Sequence, residues 1–154
     1  MEKQKKISAK RVDIVSLKIV REKSFLYANR RINNPTEAYN LVKNFLKDSD
    51  REKFLVLCLD VKKQPVSIQT ASIGHLSATI VHPREIFKVA VLSNASSIIC
   101  FHNHPTGDCN PSREDEDMTL RLKECGEVLG IPVVDHIIVG SNDLFYSFKE
   151  HNKI

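Results

Sequence analysis

Apolar and polar positions switch between two periods along the chain, and the switches mark out its elements. VDIVSLKIV (12–20) alternates, with Val15, Leu17 and Ile19 on one face and Ser16 and Lys18 on the other. This predicts a strand whose Val15, Leu17 and Ile19 face is buried. NNPTEAYNLVKNFLKDSD (33–50) changes to helical spacing. Asn34 can cap, Pro35 suits the first helical position and Glu37 completes a box-like spacing. Ala38, Leu41, Val42 and Phe45 then line one buried face. KFLVLCLDV (53–61) and PVSIQTASIG (65–74), separated by the turn KKQ, read as antiparallel strands. VHPREIFKVAVLSN (81–94) predicts a second helix from Pro83, with Ile86, Val89 and Ala90 on one stripe. SSIICFHNH (96–104) reads as a strand, and SREDEDMTLRLKECGEVLG (112–130) as a third helix stopped by Gly130. IPVVDHIIVG (131–140) and LFYSF (144–148) close the chain as strands. This interleaving predicts an α/β fold, a mixed central sheet flanked by helices.

Composition narrows the class without naming a chemistry. A chain of 154 residues suits one domain, and 42% hydrophobic with 27% charged residues is ordinary for a globular protein. No apolar run approaches the ~20 residues of a membrane helix. The net charge of +4 sits in residues 1–11, which hold five basic residues and one acidic; the remainder is balanced. Residues 1–11 are therefore expected to be a basic disordered tail and 12–154 the folded domain, with nucleic-acid contact possible only through the tail. The basic start is not followed by the apolar region of roughly 7–15 residues that a signal peptide needs. Cys58, Cys100, Cys109 and Cys125 form no CxxC pair, and Cys58 and Cys100 lie in apolar runs. The expected location is a reducing one, the cytoplasm.

The stretch FHNHPTGDCNPSRED (101–115) carries the chemistry. His102 and His104, two apart on a strand, project to one side, and buried imidazoles cost free energy unless something binds them. Pro105 stops the strand, Gly107 permits a sharp turn, and Ser112 starts the third helix with Asp115 in its first turn. Two imidazoles and one carboxylate are thus delivered from two rigid elements, the three-ligand set of a catalytic zinc site. Ser112 and Asp115 are also spaced as a helix cap and its third residue, so the pair can serve the amides of that helix.

HNHPTGDCNPSRED resembles the signature of the JAMM (MPN-plus, JAB) metal-dependent isopeptidase superfamily, and IVHPREIFKVAVLSNASSIICFHNHP with IPVVDHIIVG resembles its RadC group. The similarity spans roughly residues 12–148, with Thr106 where the group usually has serine. The resemblance implies an α-β-α sandwich of the JAB/MPN, cytidine-deaminase-like kind. It also implies a Zn2+ ion on His102, His104 and Asp115. The helix-hairpin-helix segment that full-length RadC proteins carry ahead of this domain is not found here. The superfamily's upstream glutamate, at the entrance to a strand, matches Glu52; Glu85 and Glu37 are alternatives inside predicted helices. On this reading Glu52 is the general base, Ser112 can stabilise the oxyanion while also capping its helix, and the substrate is a peptide or isopeptide of unknown identity.

Other groups attract plainer readings. Cys109 is incidental to the ligand loop, the pair Asp135–His136 is either plain structure, the preferred reading, or a support behind the metal ligands, His82 caps a helix, and His75 and His151 carry nothing specific. A zinc deaminase would need HxE with PCxxC, and a thermolysin-like protease HExxH; both motifs are absent. In HNH nucleases the three residues are dispersed, not contiguous. The rival to a hydrolase is a non-catalytic zinc-containing RadC-like binding module associated with DNA-repair or mobile-element proteins. Pattern alone leaves the oligomeric state open.

Overall fold

The computed structural model describes residues 9–74 and 81–154. The expectation for the basic tail therefore falls mostly outside the described residues, as does His75. The elements run α1 (Pro35–Leu46), β1 (Lys53–Leu59), β2 (Pro65–Ile73), α2 (Pro83–Leu92), β3 (Ser97–Asn103), α3 (Arg113–Leu129), β4 (Val133–Val139) and β5 (Phe145–Ser147). The strands form one sheet in the order β2-β1-β3-β4-β5. Only β3 and β4 are parallel, and α3 makes the crossover between them; the other neighbours pair antiparallel.

The centre of the sheet is β1 and β3, covered on both faces, which explains their unbroken apolar runs. Leu55, Leu57, Ile99 and Phe101 point into one core with Ala38, Tyr39, Val42 and Leu46 of α1. Their alternates Phe54, Val56, Cys58, Ile98 and Cys100 meet Ile86, Phe87 and Ala90 of α2 and Leu122 of α3. Full burial of each large apolar side chain contributes about 1.5–3 kcal/mol, so these two layers supply most of the driving force. The result is the α-β-α sandwich expected from sequence.

Helix ends follow the chain's own signals. The Asn34 side chain accepts from the Glu37 amide at 2.9 Å, while the Glu37 carboxylate accepts from the Asn33 amide at 2.8 Å. His82 caps α2 by accepting from the Arg84 amide at 3.1 Å. Gly130 ends α3 in the left-handed conformation, φ 69°.

Two expectations are corrected. Residues 12–20 form no strand: Val15 is 74% exposed, Leu17 78% and Ile19 44%. Alternation specifies a strand only when a sheet edge accepts it, and this segment is paired with neither β2 nor β5. The buried face of α1 is also rotated. Tyr39 and Leu46 are buried in it, whereas Phe45 is 41% exposed and packs its ring 5.4 Å from that of Phe25.

Candidate metal centre

Beta strand β3 is buried throughout its length, and its side toward α3 ends in His102, which is fully buried. One residue past the strand, the His104 amide still donates to the Val139 carbonyl of β4 at 3.1 Å, so the sheet continues to hold it. The chain then turns through Gly107, φ 88°, and enters α3 at Ser112. There the Ser112 hydroxyl accepts from the Asp115 amide at 3.2 Å, and the Ser112 amide donates to Asp115 Oδ2 at 2.8 Å. This reciprocal capping box aims the Asp115 carboxylate back at the strand end.

Three donor atoms converge there. His102 Nε2 lies 3.0 Å from His104 Nε2 and 3.1 Å from Asp115 Oδ1; His104 Nε2 lies 3.3 Å from Asp115 Oδ2. The two carboxylate contacts run to different oxygens, and one donor atom from each residue lies within 4.8 Å of the others, close enough for a single metal ion to take all three. His104 Nδ1–H donates to the Asp108 carbonyl at 2.7 Å, which in the neutral ring leaves Nε2 as a lone pair facing the cluster. His102, His104 and Asp115 therefore fit a metal ion, and they are the one such group among the described residues.

The electrostatics favour the same state. Burial presses the His102 imidazole below its ordinary pKa, against the pull of Asp115. For His104 the hydrogen bond to Asp115 is the largest influence and raises it. Burial alone would raise Asp115, but its contacts with His102 and His104 and the Ser112 amide outweigh that and hold it far below the usual carboxylate range. An ionised carboxylate thus faces a neutral His102.

Glu52 immediately precedes β1 and is half-buried. Phe54 pairs with His102 across β1 and β3, so two further steps of that antiparallel register set Glu52 opposite His104. Its charge favours the protonated form of both histidines, which places it in their field. The alternatives lie elsewhere. Glu85 pairs with Lys88 at 2.8 Å in the first turn of α2, and Glu37 serves α1 across the sheet. Ser112 is exposed and acts as the cap; accepting in that role leaves its hydroxyl proton undirected.

Two residues of the site, Asn103 and Thr119, escaped sequence reasoning. Asn103, between the two histidines, accepts from the Lys53 amide at 2.7 Å and donates to the Arg51 carbonyl at 3.0 Å, clamping the backbone on both sides of Glu52. His136, for which the sequence offers both a structural place and one behind the ligands, lies fully buried with Nε2 2.8 Å from His102 Nδ1. Thr119 Oγ1 is 2.6 Å from the other nitrogen of His136. The available signal was a polar residue inside the apolar run of β4. Asp135 is structural: it accepts from the His136 and Lys149 amides and the Ser147 hydroxyl. Cys109 and the other three cysteines are free thiols outside the cluster.

The ligand loop is pinned from outside. The Ser141 amide donates to the Gly107 carbonyl at 2.9 Å, and a Cβ on Gly140 would stand 2.5 Å from that carbonyl oxygen. Gly140→Ala is therefore expected to push the His104 loop off its seat. A loss of about 1–3 kcal/mol in thermal unfolding and weaker metal binding should result.

Sandwich and strand-end cluster together define a JAB/MPN-type domain. The sequence model for the RadC-like JAB domain matches residues 32–153, and the chain belongs to that family. It is similar to UPF0758 proteins of Desulforamulus reducens (51% identity over 78% of this chain and 52% of the relative) and Methanosarcina barkeri (47%, over 72% and 48%). A third, from Bacillus cereus, is 47% identical over 83% of this chain and 57% of its own. The chain thus spans about half the length of the curated relatives it matches. No helix among the described residues is long and apolar enough to cross a membrane.

Proposed function

We propose that this domain is a zinc-dependent hydrolase of the JAMM type that cleaves an amide or isopeptide bond. The observation that carries the reading is the cluster of His102 Nε2, His104 Nε2 and the Asp115 carboxylate, with Glu52 across the same strand end. Zinc held by those three residues would supply a Lewis acid that acidifies water and polarises a carbonyl.

The protein's own groups supply the rest. Glu52 takes a proton from the attacking water on a carboxylate oxygen as the new C–O bond forms, then delivers it to the leaving amine as the C–N bond breaks. Ser112 turns its uncommitted hydroxyl proton toward the carbonyl oxygen, where negative charge develops, without giving up its cap. Asn103 holds Glu52 at its station through the two backbone contacts on either side. Asn103→Ala removes both, each worth about 0.5–1.5 kcal/mol, and should lower kcat roughly 10-fold while zinc affinity stays nearly unchanged. Equal losses of zinc and kcat would show a general collapse of the site instead.

The test is turnover of a library of peptides and isopeptide-linked conjugates by the zinc-loaded chain. Cleavage that stops with chelator and returns with zinc supports the hydrolase. A chain that holds zinc and cuts nothing would be the non-catalytic binding module. Four free cysteines support a reducing compartment, the cytoplasm, as the place of action.

A further inference from the structure

Behind His102 runs a line of hydrogen bonds whose direction is set at its far end. Thr119 Oγ1 donates its one proton to the Asp115 carbonyl, 2.6 Å away in the preceding turn of α3. The hydroxyl can then only accept from His136 Nδ1, which lies at 2.6 Å, so that nitrogen carries hydrogen. The His136 ring is fully buried, stacked 5.1 Å from Phe148 and tilted 5.5 Å from Phe54, with no carboxylate among its hydrogen-bond partners. Such a box selects the neutral ring, leaving His136 Nε2 as an acceptor. The 2.8 Å contact to His102 Nδ1 is therefore donated by His102, and His102 Nε2 is bare.

We propose that His136 is a positioning residue for the metal: it takes the Nδ1 proton of His102 and so keeps the His102 Nε2 lone pair aimed at the ion, while Thr119 fixes the tautomer of His136. The proposal rests on the reading of His102, His104 and Asp115 as metal ligands. It adds that the ligand state of His102 is dictated from α3 through a second imidazole. Were His136 to carry its hydrogen on Nε2 instead, His102 would accept at Nδ1 and place its own N–H in the metal position. The chain of contacts also ties the backbone of Asp115 to the ring of His102, so two of the three ligands share one support.

Thr119→Val keeps the shape and removes the hydroxyl; Thr119→Ser keeps the hydroxyl. Zinc affinity is measured by chelator competition. The tautomers of His102 and His136 in the zinc-free wild type are read from the nitrogen-15 spectrum of the imidazoles. The expected results are hydrogen on Nδ1 of both rings, an affinity about 10–100-fold lower in Thr119→Val, and near-wild-type affinity in Thr119→Ser. Hydrogen on Nε2 of either ring, or a Thr119→Val protein that binds zinc as the wild type does, overturns the proposal. The spectrum decides the matter even if Thr119→Val does not fold. A wild type that binds no zinc while both rings show hydrogen on Nδ1 would refute the ligand reading and leave the relay standing.

Discussion

Glu52→Gln is expected to retain zinc and lose hydrolysis. The substitution keeps size and hydrogen-bonding shape and removes only the ability to take a proton. It lies outside the three donor atoms, so metal content by elemental analysis should match the wild type. A positioned general base contributes about 10²- to 10⁴-fold, and turnover should fall by that factor. The drop belongs in kcat, because Glu52 acts on the proton in flight and not on substrate affinity. Undiminished turnover in Glu52→Gln would remove Glu52 from the mechanism, and the half-buried carboxylate would then be only a neighbour that biases the two histidines.

The second large effect is thermodynamic. An ion that binds the folded chain and not the unfolded one stabilises it by about 4 kcal/mol at a thousand times its dissociation constant. For a domain of this size that raises the melting temperature by roughly 8–16 °C, at 2–4 °C per kcal/mol. Asp115→Asn should abolish the rise. An amide oxygen can still accept from the Ser112 amide, but the contacts of a charged carboxylate with His102 and His104 are lost, so the metal-free variant should melt somewhat below the metal-free wild type. The zinc-induced rise should also shrink as pH falls, because protons compete for the ligands. His104 is the first site of that competition, since its hydrogen bond to Asp115 raises its proton affinity. Calorimetric scans with and without zinc at several pH values check all three statements. A rise that survived in Asp115→Asn would mean that the ion binds elsewhere.

From residue 32 onward the elements were legible because each carries a strong local signal: continuous apolar runs for the central strands, capped 3,4 stripes for the helices. What failed was non-local. Val15, Leu17 and Ile19 alternate as a strand would, but no property of residues 12–20 says whether a sheet edge will receive them. Phe45 fits the helical stripe as well as Leu46 does, yet Leu46 enters the core and Phe45 stays at the surface against the ring of Phe25. The same division runs through the site. His102, His104, Ser112 and Asp115 lie within fourteen residues, so strand and helix periodicity suffice to converge them. Glu52 emerged only through resemblance, since it reaches the histidines across a strand pairing. His136 stands out only as a polar residue inside the apolar run of β4; its contact with His102, and the parts of Thr119 and Asn103, depend on the parallel register that sets Cys100 beside His136 and on contacts between β3 and β1, which no single-sequence pattern displays.

All three candidate ligands come from one contiguous stretch, the end of β3 and the start of α3, while Glu52, the proposed base, stands just ahead of β1. Under the proposed function, loading and turnover have separate structural owners. If β1 peeled away under mild denaturant, the β3–α3–β4 unit could keep its ion and the base would be gone. Activity would then vanish at a lower denaturant concentration than bound metal. For the same reason, an inert relative with a full complement of zinc would need nothing more than a displaced first strand.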